Sequence, residues 1–425
     1  MAVTGVGAVS GLGWGVDALW QGLRSGQPGI GPFRRFDHSR HRTHLAAEAE
    51  EPPADLARAC PGWRRLTIAD RFAVFAALEA LAQAGMVGED ERDFRDNRDG
   101  RDRKDTEDAG EVGVFFGSST GGMYESELFF ADFLREPRRA RLSLLVAQQV
   151  NAPGDAVARQ VGAAGPVVTF SSACASGALA LGAALSAVRS GEVEVAIAGG
   201  SDSLCQLTYA GFNALRSVDE APCRPFRAGR SGMSFGEGAA VLVLEPVERA
   251  LARGAEPLAV FAGAGASCDA HHMTAPDPAG TGAAAAMAAA LADAGLEAEA
   301  VSFVNVHGTG TPLNDAAEWQ ALQRVFGARA GEVPLVATKA LLGHLLGSSG
   351  AIEAVATVLC LRHGELHPVR RDGEADPELP VSLVLGDPLP LPAASLQKIA
   401  AVSTSLAFGG SNAALVFSRW AGPDA

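Results

Sequence analysis

Val167–Gly177 reads V-V-T-F-S-S-A-C-A-S-G, and this stretch sets the fold class. Four strand-forming residues run into a turn of small residues. The segment A-L-A-L-G-A-A-L-S-A-V follows, long and apolar enough for a buried helix. Cys174 falls where a buried strand ends and a buried helix begins. Unpaired N–H groups and the positive end of the helix dipole at such a place favour thiolate over thiol. The same N–H groups offer donors to an oxyanion forming beside the sulfur. Ala173, Ala175, Ser176 and Gly177 are small enough to let a substrate approach. Free cysteines are otherwise small buried hydrophobes, and the stretch by itself admits either role.

Composition narrows the class. The chain has 425 residues, 48% apolar and 20% charged, which is ample for a core and for more than one domain. A net charge of −14 excludes a general nucleic-acid partner, because a phosphate backbone needs a basic face. The six cysteines include no C-x-x-C pair, so neither a zinc ribbon nor a disulfide framework is indicated, and a reducing cytoplasm is the expected setting. The opening M-A-V-T-G-V-G-A-V-S reads as a first strand and not as a basic-then-apolar leader, so no signal peptide is expected. No apolar run is long enough to span a bilayer without interruption.

In order, Ala2–Val9 is strand-like and Val16–Leu23 a short helix. Residues 26–62 are Pro-, Arg- and His-rich and lack a period, so they read as loop or lid. Asp70–Ala84 is a clear helix. Residues 89–111 alternate Arg and Asp without apolar anchors and are expected to be a disordered charged insertion. Val112–Phe116 is a strand ending in G-S-S-T-G-G (117–122), which lacks the lysine and the spacing of a phosphate loop. Arg135, Arg138, Arg139 and Arg141 cluster on an otherwise acidic chain, which suits either a solvated helix end or an acidic protein partner.

The second part of the chain repeats this grammar. L-A-V-F-A-G-A-G-A-S (258–267) echoes the first strand, and F-V-N-V-H-G-T-G-T (303–311) echoes the strand and loop at 112–122. L-V-A-T-K-A-L-L-G-H-L-L-G-S-S-G (335–350) and the helix after it echo the Cys174 unit, while F-G-G-S-N-A-A-L-V-F (408–417) echoes F-G-E-G-A-A-V-L-V-L (235–244). Matching units in the same order imply two related α/β halves, residues 1–250 and 251–425, with mainly parallel sheets. If the halves pack as pseudo-symmetric partners, Cys174 faces His307, Lys339 and His344. A thiol beside imidazoles can do nucleophilic catalysis.

The motifs S-S-A-C-A-S-G, V-H-G-T-G-T-P-L-N-D-A-A-E, T-K-A-L-L-G-H-L-L-G-S-S-G and F-G-G-S-N resemble those of the β-ketoacyl-acyl carrier protein synthases of thiolase fold. The elongating (type II) condensing enzymes of fatty acid and polyketide synthesis are the most similar. The resemblance runs from the first strand to Phe417 and omits the charged insertion. Starter enzymes of this superfamily carry Asn where His344 stands. Thiolases proper use a second cysteine in a loop motif, whereas Cys360 lies within a helical segment.

The resemblance implies duplicated α/β halves in a layered α-β-α-β-α sandwich. It implies acylation of Cys174 from an acyl carrier protein, with the oxyanion on the N–H groups of Cys174 and Leu406. His307 and His344, neutral and donating, would stabilise the enolate formed by malonyl decarboxylation. Lys339, Glu318, Asp315 and Glu353 would order the histidine loops, and Thr309 and Thr311 would hydrogen-bond the pantetheine arm. Thr120, Phe212, Leu406 and Phe408 would line or gate the acyl pocket. Leu406 stands for the family's gating phenylalanine, Ala407 for a glycine that lets the loop swing, and Thr120 for a larger apolar residue, so altered acyl selection is expected. Arg64, Arg65, Arg135, Arg138, Arg139 and Arg216 would dock the carrier. No metal or resident cofactor is implied, since phosphopantetheine arrives on the carrier. A homodimer is expected, or a heterodimer with a related synthase. Two rival readings are a silent partner subunit, which typically lacks the nucleophile, and a metal site at Cys268, His271 and His272. The acyl chain and the pathway are left open.

Overall fold

The computed structural model of the chain describes residues 1–52, 62–87, 111–392 and 399–422. Cys60 and all of the charged insertion except Glu111 lie outside the described residues.

The first half runs β1 (Ala2–Ser10), α1 (Val16–Ser25), α2 (Ile68–Gln83), β2 (Val112–Gly117), α3 (Met123–Arg135), α4 (Ala152–Val161), β3 (Val167–Phe170), α5 (Ser176–Ser190), β4 (Val195–Asp202), α6 (Gln206–Ala214) and β5 (Gly238–Glu245). The second runs β6 (Ala259–Cys268), α7 (Thr281–Ala294), β7 (Val301–Asn305), α8 (Pro312–Phe326), β8 (Pro334–Val336), α9 (Ser349–His363), β9 (Ala400–Leu406) and β10 (Ser411–Ser418). From the centre outward the first half orders its strands β1-β5-β4-β2-β3 and the second β6-β10-β9-β7-β8. The two orders are the same when the strands of each half are counted from its own start. Antiparallel pairing of β1 with β10's neighbour β6 (Ala2 opposite Val260) joins the halves into one sheet.

The duplication extends to irregularities. β1 bulges against β5 between Val3 and Gly5, and β6 bulges against β10 between Phe261 and Gly263. A Cβ on Gly5 would stand 1.9 Å from the Ala80 carbonyl oxygen, and one on Gly263 would stand 2.5 Å from that of Ala290. Glycine there lets α2 and α7 lie directly on their strands. The sheet is mixed and not mainly parallel. In each half the three outer strands pair in parallel, whereas the last and first strands turn antiparallel as they approach the seam. Long apolar runs mark burial on both faces and do not report strand direction.

Two helices fill the middle layer. α5 packs against β2 and β4 and also against β6 and β10, and α9 packs against β5 and β9. The apolar segment Ala173–Ser190 is long and hydrophobic enough to cross a membrane by composition, yet here it is largely buried as a core helix. The N-termini of α5 and α9 meet. A Cβ on Gly177 would fall 3.0 Å from the Ala351 nitrogen, and one on Gly350 would fall 2.8 Å from Ala178. The loops that precede these helices carry Cys174 and His344, so the fold delivers both to one place.

The stretch read as loop or lid is pinned as far as it is described. Gly31–Pro32 and Leu45–Ala47 form a small sheet with Phe235–Gly236. Arg35 pairs with buried Glu237, which also accepts the N–H groups of Ala49 and Leu204 at 3.1 and 2.8 Å. Aperiodic sequence hid these long-range bonds.

Candidate active site

Cys174 follows Ala173, a non-glycine residue held at φ 45°. That conformation strains an L-residue. The Ala173 carbonyl accepts from Ser176 Oγ at 2.6 Å and from Ser119 Oγ at 3.1 Å, which holds the turn. Cys174 is 6% exposed, and its sulfur and one nitrogen each from His307 and His344 lie within 4.8 Å of one another. The imidazoles stand edge to face, 5.6 Å between centroids.

His307 lies just beyond β7. Its N–H donates to Glu318 Oε1 at 2.7 Å, the Gly308 N–H donates to Glu318 Oε2 at 2.9 Å, and Thr404 Oγ donates to the same carboxylate. Lys339 Nζ donates to His307 Nδ1 at 3.1 Å and pairs with Glu353. His344 is fixed by its own N–H to Ser234 O at 2.7 Å, and its Nδ1 accepts from the Leu346 N–H at 2.9 Å and from Ser349 Oγ at 3.0 Å. Both Nδ1 atoms are acceptors, so in both rings the proton sits on Nε2, an assignment made by the hydrogen-bond network.

Electrostatics agree with neutral rings. Burial first, and then the Lys339 charge, holds both histidines well below the usual imidazole range. Burial pushes the Glu353 carboxyl up to about 7 against the pull of Lys339, and burial pushes Asp315 up to about 7 as well. Asp315 accepts from the Phe226 N–H at 2.8 Å and the Gly310 N–H at 3.2 Å, with Arg230 at 3.4 Å. Thr309 and Thr311 sit on the same loop with their hydroxyls 2.8 Å apart.

The sulfur departs from the sequence expectation. Burial pushes the Cys174 thiol up to about 11, although Lys339 and the Phe408 N–H pull it down. The helix end is present, but desolvation by burial outweighs it, and the neighbouring imidazoles carry no charge. The rate of Cys174 alkylation by iodoacetamide is therefore expected to climb about tenfold per pH unit from neutral to mildly alkaline solution. A plateau near neutrality, read on the Cys174 peptide, would contradict this.

The donor expected from Leu406 is also corrected. Leu406 is the last residue of β9, with its side chain in the core around Val304 and Trp319. The N–H that reaches the sulfur belongs to Phe408. Phe408 is also the aromatic at the pocket, stacked on Phe212 at 5.3 Å. Ala407 has an extended backbone (φ −122°), where a Cβ costs nothing, and the left-handed angles fall on Gly409 and Gly410. Thr120 is buried, and its hydroxyl donates to Asp202 at 2.8 Å, which uses up the polarity expected to face an acyl chain.

A Cys-His-His cluster invites a metal reading, but the donor set does not fit. Both imidazoles present N–H and not a lone pair, with a lysine ammonium beside them. Cys268, His271 and His272 form no three-ligand cluster among the described residues. The six arginines expected to dock a carrier are all exposed. They lie on the turn Trp63–Arg65, the end of α3, the turn Pro137–Arg139 and just past α6, and Arg139 pairs with Glu136 at 3.1 Å. Sequence reading missed Asp202, Ser119, Thr404 and the Phe408 N–H. A lone acid closing the apolar strand V-A-I-A-G-G-S-D was the one signal on offer.

Comparison with known proteins identifies the family. Residues 1–250 match the beta-ketoacyl synthase N-terminal domain and residues 258–371 the C-terminal domain. A curated 3-oxoacyl-[acyl-carrier-protein] synthase 2 from Staphylococcus aureus is 35% identical over 431 residues, covering 99% of this chain and 98% of the relative. The structure of the ishigamide ketosynthase/chain length factor is similar with TM-score 0.87 and 32% identity, covering 99% and 98% of the two chains. A type II PKS acyl-carrier protein complex with its ketosynthase bound to the hexaketide gives TM-score 0.83 at 25% identity, covering 99% of each chain. With both halves matched and its full length aligned, the chain belongs to the beta-ketoacyl synthase family.

Proposed function

We propose that this chain catalyses decarboxylative Claisen condensation of an acyl group with malonyl-acyl carrier protein. The observation that carries the reading is a thiol and two neutral N–H imidazoles within 4.8 Å. The Cys174 sulfur attacks the acyl thioester, and the carrier thiol leaves with the thiol proton. The oxyanion is held by the N–H groups of Cys174 and Phe408. Malonyl thioester then loses CO2, and His307 and His344 donate from Nε2 to the enolate oxygen. The carbanion attacks the acyl-Cys174 carbonyl and expels the thiolate, which takes a proton from solvent water, giving 3-oxoacyl carrier protein. Charge stabilisation by fixed donors in a dry site is the main contribution. Thr309 and Thr311 receive the pantetheine arm, and no resident cofactor is used. Incubation with acyl- and malonyl-carrier proteins should give a 3-oxoacyl product two carbons longer. Absence of that product, with both carriers intact, overturns the reading.

The carrier docks on Arg64, Arg65, Arg135, Arg138, Arg139 and Arg216. The net charge of −14 would otherwise repel an acidic partner, and the related complex pairs a ketosynthase with its carrier. Joint reversal of Arg138 and Arg139 to Glu should raise KM for the carrier about tenfold, since exposed ion pairs are worth roughly 0.2–1 kcal/mol each and become repulsive. Turnover of a small acyl thioester should be unchanged. Salt should weaken the wild type likewise, and a salt-independent KM would count against the surface.

The working unit is a homodimer. Among the described residues β3 ends the sheet with a free edge and exposes Val167 and Val168, and Leu134, Leu142 and Val146 are further exposed apolar side chains of the same half, the last 84% exposed. Bare edges and apolar patches of this kind are normally covered. Light scattering should give twice the monomer mass. A stable monomer that pairs only with a related synthase would place the chain in a heterodimer instead. The cytoplasm is the expected compartment.

A further inference from the structure

We propose that Asp202 is a positioning residue that locks the Cys174 turn and the His344 loop into one rigid unit. The proposal rests on the condensation reading above. Asp202 closes β4 and is 1% exposed. Its carboxylate accepts from Ser118 Oγ at 2.8 Å, from the Ser119 N–H at 3.0 Å, from the Thr120 N–H and Oγ at 2.8 Å each, and from the Gly347 N–H at 2.6 Å. The donors come from two loops, one in each half of the chain. A buried carboxylate without such bonds would be costly, and bonds to a charged acceptor are roughly twice as strong as neutral ones.

Each loop leads directly to a reacting group. Ser119, held by its N–H, sends its hydroxyl to the Ala173 carbonyl at 3.1 Å, in the strained turn just before Cys174. Gly347, held by its N–H, follows Leu346, whose own N–H fixes the proton of His344 on Nε2. The packing leaves no slack. A Cβ on Gly347 would fall 2.7 Å from Asp202 Oδ2 and 2.7 Å from the Ser119 nitrogen, and one on Gly117 would fall 2.3 Å from the Gly177 nitrogen. Glycines thus bring backbone against backbone around the carboxylate. Sulfur and imidazole sit on separate halves, and Asp202 is bonded to the supporting loops of both. Misplacement by an ångström at such a site is enough to slow chemistry strongly.

Asp202→Asn keeps the shape but turns an NH2 toward N–H donors. We expect kcat for condensation to fall about 30-fold, with KM for the carrier within about twofold, as for loss of a bond realised at the reacting centre. A double-mutant cycle with His344→Ala should be non-additive, because Asp202 acts through that ring, whereas a purely structural residue would give additive losses. Ser119→Ala, a half-buried change expected to fold, keeps the test open should Asp202→Asn not fold, and it should lower kcat about fivefold by freeing the Cys174 turn. Iodoacetamide labelling of the Cys174 peptide needs no turnover and should quicken in both variants, with no further gain when they are combined. Additive cycles, or unchanged kcat and labelling rates, overturn the proposal. If the wild type does not condense, the functional reading fails, and the labelling cycle still decides the coupling between Asp202 and the Cys174 turn.

Discussion

Cys174→Ala is expected to abolish enzyme acylation and to lower condensation by on the order of a thousandfold or more, the usual scale for loss of a covalent nucleophile. The chain offers other thiols, so the outcome is informative. Cys223 is the nearest rival by connection, its thiol donating to the Lys339 carbonyl at 3.2 Å. Burial pushes it up to about 11, as it does Cys174, so acidity does not separate the two. Surroundings do. Cys174 has the Phe408 N–H at its sulfur and both imidazoles within 4.8 Å, and those are the donors an oxyanion needs. Incubation with radiolabelled acyl carrier thioester should therefore mark Cys174 alone, and label persisting in Cys174→Ala would sink the assignment. Cys174→Gln should also fail to condense, yet should still release CO2 from malonyl carrier, because both histidine donors remain in place. Loss of CO2 release in that variant would mean that the thiol also takes part in decarboxylation.

The parts that were legible in the sequence are those that local pattern encodes. A strand, a small-residue turn and an apolar helix around Cys174, repeated around His344, gave the duplication, and the two helix N-termini do meet. Four features were not legible. Strand direction at the seam depends on pairing between residues far apart, such as Ala2 with Glu245 on one side and Val260 on the other. The thiol's acidity depends on desolvation by burial, which a helix-end argument leaves out. The choice between Leu406 and Phe408 depends on where β9 stops. Leu406 is still paired opposite Asn412 and buried, and the chain becomes free to face the sulfur only after Ala407 bonds to Ser411. Asp202 was invisible for a related reason. Its significance lies in donors from residues 118–120 and 347, which no spacing rule connects.

His344→Ala is expected to cut malonyl decarboxylation and condensation about a thousandfold while leaving acylation of Cys174 within about tenfold of wild type. Loss of one fixed donor to a developing oxyanion costs on the order of 10²–10³ in rate, and here it also strands the Leu346 N–H and Ser349 hydroxyl that had bonded to Nδ1. On the proposed mechanism the enolate needs both Nε2 donors, whereas the acylation oxyanion rests on backbone N–H groups, so the two half-reactions should separate in this variant. pH gives an independent check. Burial and Lys339 depress the His344 pKa well below 6.5, so the ring stays neutral as pH falls through the ordinary imidazole range. Protonation, and with it loss of the fixed tautomer, comes only at lower pH. The His344 ring itself, read by its imidazole resonances in Cys174→Gln, should thus show no titration between about pH 6.5 and 8, even though Glu353 and Asp315 titrate near 7. A midpoint near 6.5 would show a solvated imidazole. Equal losses of acylation and decarboxylation in His344→Ala would show that the ring serves the thiol and not the enolate.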